Sequence, residues 1–327
     1  MSTNTTSTLS NQFQRKYQKD LLAHAVQELR LNEFATQRDL PKNAGAKTVR
    51  YFRRVAASAA NVKTLAEGVT PTDTTDLTYT PVDVDLVQLG EVMVGTDILS
   101  WTQLLDWIKD GTALLGEDCA LKADEVTRNV IVAGITAAGY RRYSQGAANW
   151  AALAAASAVN AGYVRTDGLD AVTKLKIARA PKFGGYYVNI IAPQVARDVQ
   201  EDGDWLEASK YGAPEQLFKG ELGRMDGMRF VEATNPFIED GAAGAEGTFA
   251  ADGNIFTSII TGKGGYGVCK LAGTQSPMKP QLIICNKADK SDPLNQRITV
   301  GWKAYYNAFV ENSTWVCTLR SKSNFAG

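Results

Sequence analysis

The sequence predicts an α+β fold in which one long helix follows a charged β-hairpin and precedes a block of strands that returns near the C-terminus. Three observations carry that prediction. Over 97–135 no proline occurs, and apolar or small residues recur at Trp101, Leu104, Ile108, Thr112, Leu115, Cys119, Ala123, Val126 and Val130. Steps that alternate between three and four mark one buried stripe on an α-helix. Before it, two strand-like stretches at 47–55 and 79–86 are loaded with arginines on one and aspartates on the other. After it, strands are expected at 281–285, 297–310 and 314–319, where Ile298, Val300, Trp302 and Ala304 alternate with Thr299, Gly301 and Lys303.

Ser100 with Gln103 makes a capping-box start for the helix. Gly111 and Gly116 each cost roughly 1 kcal/mol against alanine, so a kink is expected between them. Unbroken, about 35 residues at ~1.5 Å rise would give a rod of roughly 50 Å, far beyond the average helix of ~11–12 residues.

The hairpin comes next. Val49, Tyr51 and Arg53 fall on one face of its first strand and Arg50, Phe52 and Arg54 on the other, while Val82, Val84 and Leu86 alternate with Asp83 and Asp85. The connecting segment is polar and threonine-rich, and includes Glu67. An isolated two-stranded hairpin is marginal in water, and no core of this chain obviously supports one so long. It calls for a surface to lie on. Opposite charges across the pair add only roughly 0.2–1 kcal/mol each.

Elsewhere the chain reads as follows. A helix is expected over 11–34, with Phe13, Tyr17, Leu21, Ala25 and Leu29 in line and Arg15, Lys16, Lys19 and Asp20 off it. A linker over 38–46 follows. Residues 139–162 read as an insertion or loop with a short helix near Trp150, and a helix starts near Asp167 and ends before Pro181. The run 186–192 is a buried strand, and Pro193 suits the first turn of a helix. Strands are expected at 228–233, 255–261 and 266–271, separated by a Gly/Ala loop at 241–253.

Composition narrows the function classes. The 327 residues are 44% hydrophobic and 21% charged, which suits a chain with an ordered core. Lys+Arg and Asp+Glu balance at 35 each, so no net charge draws the chain to nucleic acid or an anionic membrane. The four cysteines, at 119, 269, 285 and 317, form no Cys-x-x-Cys pair, against a zinc or thioredoxin motif. Cys285 and Cys317 sit in apolar strands as small hydrophobes, and a reducing compartment fits. The N-terminus lacks the basic-then-apolar build of a secretory signal, and no run of 18 apolar residues exists.

Catalytic, cofactor and metal sites are not expected. Gly262-Lys-Gly-Gly-Tyr-Gly267 matches G-x-G-x-x-G, but a dinucleotide site needs a helix directly after it, and Val268-Cys-Lys-Leu271 reads as a strand. A glycine-rich hairpin turn accounts for it better. His24 is the single histidine and cannot make a triad or a metal cluster alone. Glu201, Asp202 and Asp204 lack EF-hand spacing.

Five stretches together resemble one family. They are Leu65-Ala-Glu-Gly-Val-Thr-Pro71, Leu115-Gly-Glu-Asp-Cys-Ala-Leu-Lys-Ala-Asp124, Ile190-Ile-Ala-Pro193, Gly220-Glu-Leu-Gly-Arg-Met-Asp-Gly-Met-Arg-Phe-Val-Glu232 and Val300-Gly-Trp-Lys303. In this order, with the hairpin and the long helix, the chain resembles the tailed-phage major capsid proteins of the HK97-like fold over nearly all of 10–325. The resemblance implies an N-terminal arm at 1–46, an extended hairpin (E-loop) at 47–95, and a spine helix with the first part of a P-domain at 96–185, including a variable insertion near 139–165. It implies a mainly A-domain segment at 186–279 and strands returning through both domains at 280–327. It implies a structural role, not an enzyme: copies of the chain, as hexamers and pentamers with lateral contacts made by the hairpin and the N-terminal arm, closing an icosahedral shell around double-stranded DNA in a virion, after synthesis in the host cytoplasm. Scaffolding protein and portal are the implied partners, with a decoration protein open, and no cofactor or membrane. Arg50, Arg53, Arg54, Glu67, Asp83 and Asp85 are the expected inter-subunit contacts, and the 236–254 loop is expected near the capsomer axis. An encapsulin-like compartment shell is the close alternative, and a nucleotide-binding oxidoreductase the remote one.

Overall fold

Asp106 starts the long helix. Its carboxylate accepts hydrogen bonds from the backbone N–H groups of Ile108 and Lys109, an N-cap that contributes about 1 kcal/mol. The structure, a computed structural model, describes residues 30–40, 48–55, 64, 67–68, 70, 76–102, 106–137, 139–201, 223–242, 244–271, 281–285 and 292–325. A 3₁₀ turn at Leu31–Glu33 leads into β1 (Thr36–Leu40), β2 (Thr48–Arg54), β3 (Tyr79–Asp85) and β4 (Val87–Thr96), then α1 (Asp97–Thr102) and the long α2 (Trp107–Gly134). There follow β5 (Arg141–Tyr143), α3 (Trp150–Ala155), α4 (Arg165–Ile177), β6 (Tyr187–Ile191), α5 (Pro193–Glu201), β7 (Arg224–Met225), β8 (Met228–Glu232) and β9 (Phe237–Glu239). The chain closes with β10 (Ile255–Thr261), β11 (Tyr266–Leu271), β12 (Gln281–Cys285), β13 (Arg297–Val310) and β14 (Val316–Lys322).

Two sheets organise these strands. The 14-residue β13 is the axis of the first. It pairs antiparallel with β4 from Arg297 to Tyr306, and its other edge carries β12 and then β11, with β1 parallel beyond β11. The second sheet runs β5-β14-β10-β6-β8-β7, with β9 sharing an edge of β10. Every residue of β6, β10 and β14 is buried. That explains their unbroken apolar and small-residue runs.

The face of α2 predicted from periodicity is the one that packs on the first sheet. Leu115, Cys119 and Ala123 meet Val300, Trp302, Ala304, Tyr306 and Ala308, with Ile108, Val126 and Val130 at the margin. The stripe widens toward the C-terminal end of α2, where Ile131 and Ile135 enter a third cluster with Leu31, Val188, Ile190, Ile259, Tyr266 and Val316. There the helix lies against both sheets, so one stripe no longer describes it. The second sheet is covered by α4 and α5, through Ala171, Val172, Leu175, Val195, Ala196 and Val199.

A buried polar knot ties residues 31–32 to this frame. Tyr306 OH donates to Asn32 Oδ1 at 2.6 Å and lies 2.6 Å from Thr127 Oγ1, and Tyr266 OH donates to the Leu31 carbonyl at 2.7 Å. Tyr306→Phe strands two buried polar partners and should cost about 1–3 kcal/mol of stability. Chemical denaturation of that variant checks it, and an unchanged midpoint would refute the knot's role.

Several expectations are corrected. The helix is not continuous from residue 97: α1 ends at Thr102, and α2 begins afresh at the Asp106 cap. The Ser100–Gln103 box rests on side chains outside the described residues. Neither Gly111 nor Gly116 kinks α2. Both are buried, and a Cβ at Gly111 would run into Met93 Cε, so this glycine leaves room for the Met93 side chain of β4. Of the expected linker over 38–46, residues 38–40 belong to the strand β1, and 41–46 lie outside the described residues. Of the expected helix over 11–34, residues 11–29 lie outside the described residues, as do His24, Asp202 and Asp204, and the described end is a 3₁₀ turn, Leu31–Glu33, not α-helix.

The 139–165 region is ordered and not a loop, and the short helix expected near Trp150 is α3. β5 pairs parallel with β14, and Leu153 of α3 is fully buried beside Ala161 and Ile255. Alanine-rich sequence hid this because small side chains give little periodicity. Gly262–Gly267 is not a hairpin turn either, since β10 and β11 belong to different sheets. A Cβ at Gly262 would meet the Pro181 carbonyl at 2.8 Å, and one at Gly267 the Thr36 carbonyl at 2.8 Å. These glycines serve a close crossing of backbones. Cys285 is exposed, whereas Cys119, Cys269 and Cys317 are buried. Burial pushes the Cys119 and Cys317 thiols up to about 12.

Candidate assembly surfaces

β2 and β3 pair antiparallel with Arg50 opposite Asp83, Phe52 opposite Pro81 and Arg54 opposite Tyr79. The alternation read from sequence thus becomes two faces. The inner face is not without a core. Val49, Tyr51, Val82, Val84 and Leu86 pack on Leu40, Cys269 and Phe309 of the same chain. Tyr51 stacks on Phe309 with ring centroids 5.5 Å apart, and its hydroxyl lies 3.4 Å from Cys269 Sγ. Burial, then that thiol contact, raises the Tyr51 pKa above the usual phenol range. Asn307 Nδ2 donates to the Asp85 carbonyl at 2.6 Å where the chain turns from β3 into β4. The expected 47–95 hairpin is therefore two things: a true hairpin over β2–β3, and an edge strand, β4, that belongs to the first sheet.

The outer face of the hairpin is open. Phe52 is 66% and Tyr79 54% exposed. Beside them Arg50 grips Asp83 bidentately, at 2.6 and 2.8 Å. The hydrogen bond from Arg50 holds the Asp83 carboxyl below its ordinary range, and the same bond raises the Arg50 guanidinium. The pair is formed at neutral pH and is lost as pH falls through the lowered Asp83 value. Thr48 donates its hydroxyl to the Asp85 carboxylate. Arg53 lies opposite Thr80 on the inner face, with a buried Nε that has no partner among the described residues. Arg54 sits outward beside Tyr79. Glu67 is exposed in a turn whose Gly68 has φ 77°. Of the six residues expected to act together, Arg50 and Asp83 form a salt bridge with each other.

A second open surface lies on the first sheet, on the side away from α2. Val92, Gly301 and Ile283 are in register across three strands, and Val94, two residues further along β4, lies on the same face opposite Thr299. Val92, Val94 and Ile283 are each about half or more exposed. Sequence reasoning missed this patch because β4 was read as part of the hairpin.

The 236–254 segment, expected near the capsomer axis, is tied to the rest of the chain. Arg320 Nε reaches Glu239 Oε2 at 2.7 Å with both side chains wholly buried. Glu246 accepts from Arg141 at 2.9 Å and from the Tyr143 hydroxyl at 2.6 Å. Arg128 of α2 bonds the Pro236 carbonyl at 2.8 Å and lies over the Phe249 ring at 4.4 Å.

Among the described residues no group of three or more His, Cys, Asp or Glu side chains is placed to hold a metal ion. None of their helices is long and apolar enough to cross a membrane. The glycines at 262–267 lead into β11, not the helix a dinucleotide site requires.

A long helix laid on a long antiparallel sheet, a hairpin leaving that sheet's edge, and a second sheet flanked by helices define the HK97-like capsid fold. The chain has that fold. It is similar to the capsid of Ralstonia phage GP4 at 14% identity and TM-score 0.68, over 90% of this chain and 88% of that one. It is similar to the capsid of cyanophage Pam1 at 16% identity and TM-score 0.62, over 91% and 94% of the two chains. The SrpI encapsulin of Synechococcus elongatus PCC 7942 matches at 10% identity and TM-score 0.53, over 90% and 87%. No family model and no curated protein matches by sequence.

Proposed function

We propose that this chain is the major capsid protein of a tailed bacteriophage, a structural subunit and not an enzyme. The observation that carries the reading is that the likeness to phage capsid structures spans about nine-tenths of both chains. In the terms of that fold, 1–46 is the N-arm, β2–β3 the E-loop, α2 with the first sheet the P-domain, and the second sheet with α4 and α5 the A-domain. Copies associate as hexamers and pentamers into a shell that encloses double-stranded DNA, with scaffolding protein and portal as partners during assembly in the host cytoplasm. Zero net charge suits a wall that contains DNA without gripping it. Arg50, Arg53, Arg54, Glu67, Asp83 and Asp85 belong to the hairpin that reaches a neighbouring subunit.

The SrpI likeness favours one second reading, an encapsulin-like compartment. Expression with the neighbouring genes, followed by negative-stain microscopy and nuclease treatment of purified particles, separates the two. Closed shells holding nuclease-resistant DNA are the expected result. Shells filled with a protein cargo would favour the compartment, and no shells under any combination would overturn both.

A further inference from the structure

Beside α2 runs a cleft of about 620 Å³, bounded by β4 on one side and by residues 234–249 on the other. Its floor is apolar, with Leu89, Leu121 and Phe249, and its rim carries Glu91 and Asp118 beside the Lys122–Glu125 ion pair and Arg128, one negative charge in excess. Neither Glu91 nor Asp118 has a salt bridge among the described residues. Trp302 also lines the cleft. It is 4% exposed, and its indole N–H has no hydrogen-bond acceptor among the described residues. A buried donor left without an acceptor points to a missing occupant.

The chain itself leads to this place. Arg30 N donates to Asp124 Oδ2 at 3.0 Å, so residue 30 emerges against α2. Leu121 and Arg128 of the cleft lie within about one turn of Asp124 on adjoining faces. The 29 residues upstream of that point lie outside the described structure. Their pattern is the one the cleft asks for. Phe13, Tyr17, Leu21, Ala25 and Leu29 repeat every four residues, and Arg15, Lys16 and Lys19 flank the apolar line. Such a helix buries a stripe only against a second surface, and an apolar floor with an acidic rim is the complement of a basic amphipathic segment.

We propose that the cleft beside α2 is the docking site for residues 11–29 of the same chain, with the apolar stripe on Leu121 and Phe249 and the lysines toward Glu91 and Asp118. The docking stands whether or not the copies close into a shell. A second copy's segment is the competing occupant, and the test separates the two.

The full-length protein is digested briefly with chymotrypsin, which cuts after Phe13 and Tyr17. Because cleavage follows the population of the open form, the Glu91→Lys/Asp118→Lys variant should be cut at least about tenfold faster than the wild type. Adding Lys16→Glu/Lys19→Glu to that variant should restore slow cleavage. Circular dichroism confirms that the rim substitutions, at exposed Glu91 and half-buried Asp118, leave the fold intact. A Leu21→Cys/Leu121→Cys pair in a Cys285→Ser background should form a disulfide within one chain, seen as a faster-migrating monomer without reductant. Equal cleavage of wild type and rim variant, failure of the reversed lysines to restore protection, or a disulfide that yields only dimers would each overturn the proposal.

Discussion

Arg320→Ala is expected to be the most damaging single substitution outside the hydrophobic core, lowering stability by about 3–5 kcal/mol. Arg320 and Glu239 are both wholly buried and 2.7 Å apart. Removing the guanidinium leaves a carboxylate in the protein interior with little but the Gly247 N–H, at 2.5 Å, to compensate it. The loss spreads, because the pair joins β14 to β9 and Glu246 binds Arg141 and the Tyr143 hydroxyl at the sheet edge. Arg320→Met/Glu239→Leu, which removes both charges, should recover much of that loss, since an apolar pair of similar volume is often no worse than a buried ion pair. Urea denaturation of the two variants reads the difference. If Arg320→Ala loses less than about 1 kcal/mol, the pair is not what holds 236–254 down.

Phe52→Asp/Arg54→Glu should abolish shell formation while leaving the subunit folded. Both residues project from the hairpin's outer face, Phe52 is 66% exposed, and neither enters a buried cluster. Surface changes of this kind usually shift stability by no more than ~0.5 kcal/mol. An aromatic anchor at an interface contributes about 2 kcal/mol or more, roughly a thirtyfold change in each contact. A closed shell multiplies that loss over every copy. Arg53 is a poorer probe than sequence alone suggested, because it faces the inner side of the hairpin. Assembly yield by sedimentation, set beside the melting temperature, checks the prediction. Normal shells from the folded variant would remove the hairpin face from the contact.

Much of this architecture was legible from residue order. Alternation over 49–54 and 82–86 marked two strands of opposite charge, but the register that sets Arg50 against Asp83, and Arg53 and Arg54 against Thr80 and Tyr79, comes from the backbone pairing and not from the charges. The stripe at Leu115, Cys119 and Ala123 specified the helix face. What escaped notice has physical reasons. The start of α2 depended on one cap residue, Asp106, inside a segment whose periodicity continued across it. β1 and β5 are short and gain their place only from neighbours far away in sequence, β11 and β14. The role of Gly262–Gly267 depends on which backbones cross there, and local sequence carries no such information. The partners of Val92, Val94 and Ile283 are not visible within one chain, and the same holds for the outer hairpin face.

The central claim is that copies of this chain build a shell by laying the β2–β3 hairpin on one another. A cryo-electron microscopy reconstruction of particles made with the neighbouring genes tests it directly. The account predicts an icosahedral shell of hexamers and pentamers, with Phe52 and Tyr79 covered by an adjacent copy. A shell in which those side chains face solvent would contradict the hairpin's role, and only 35.3 kDa monomers, with every neighbouring gene present, would contradict the account as a whole.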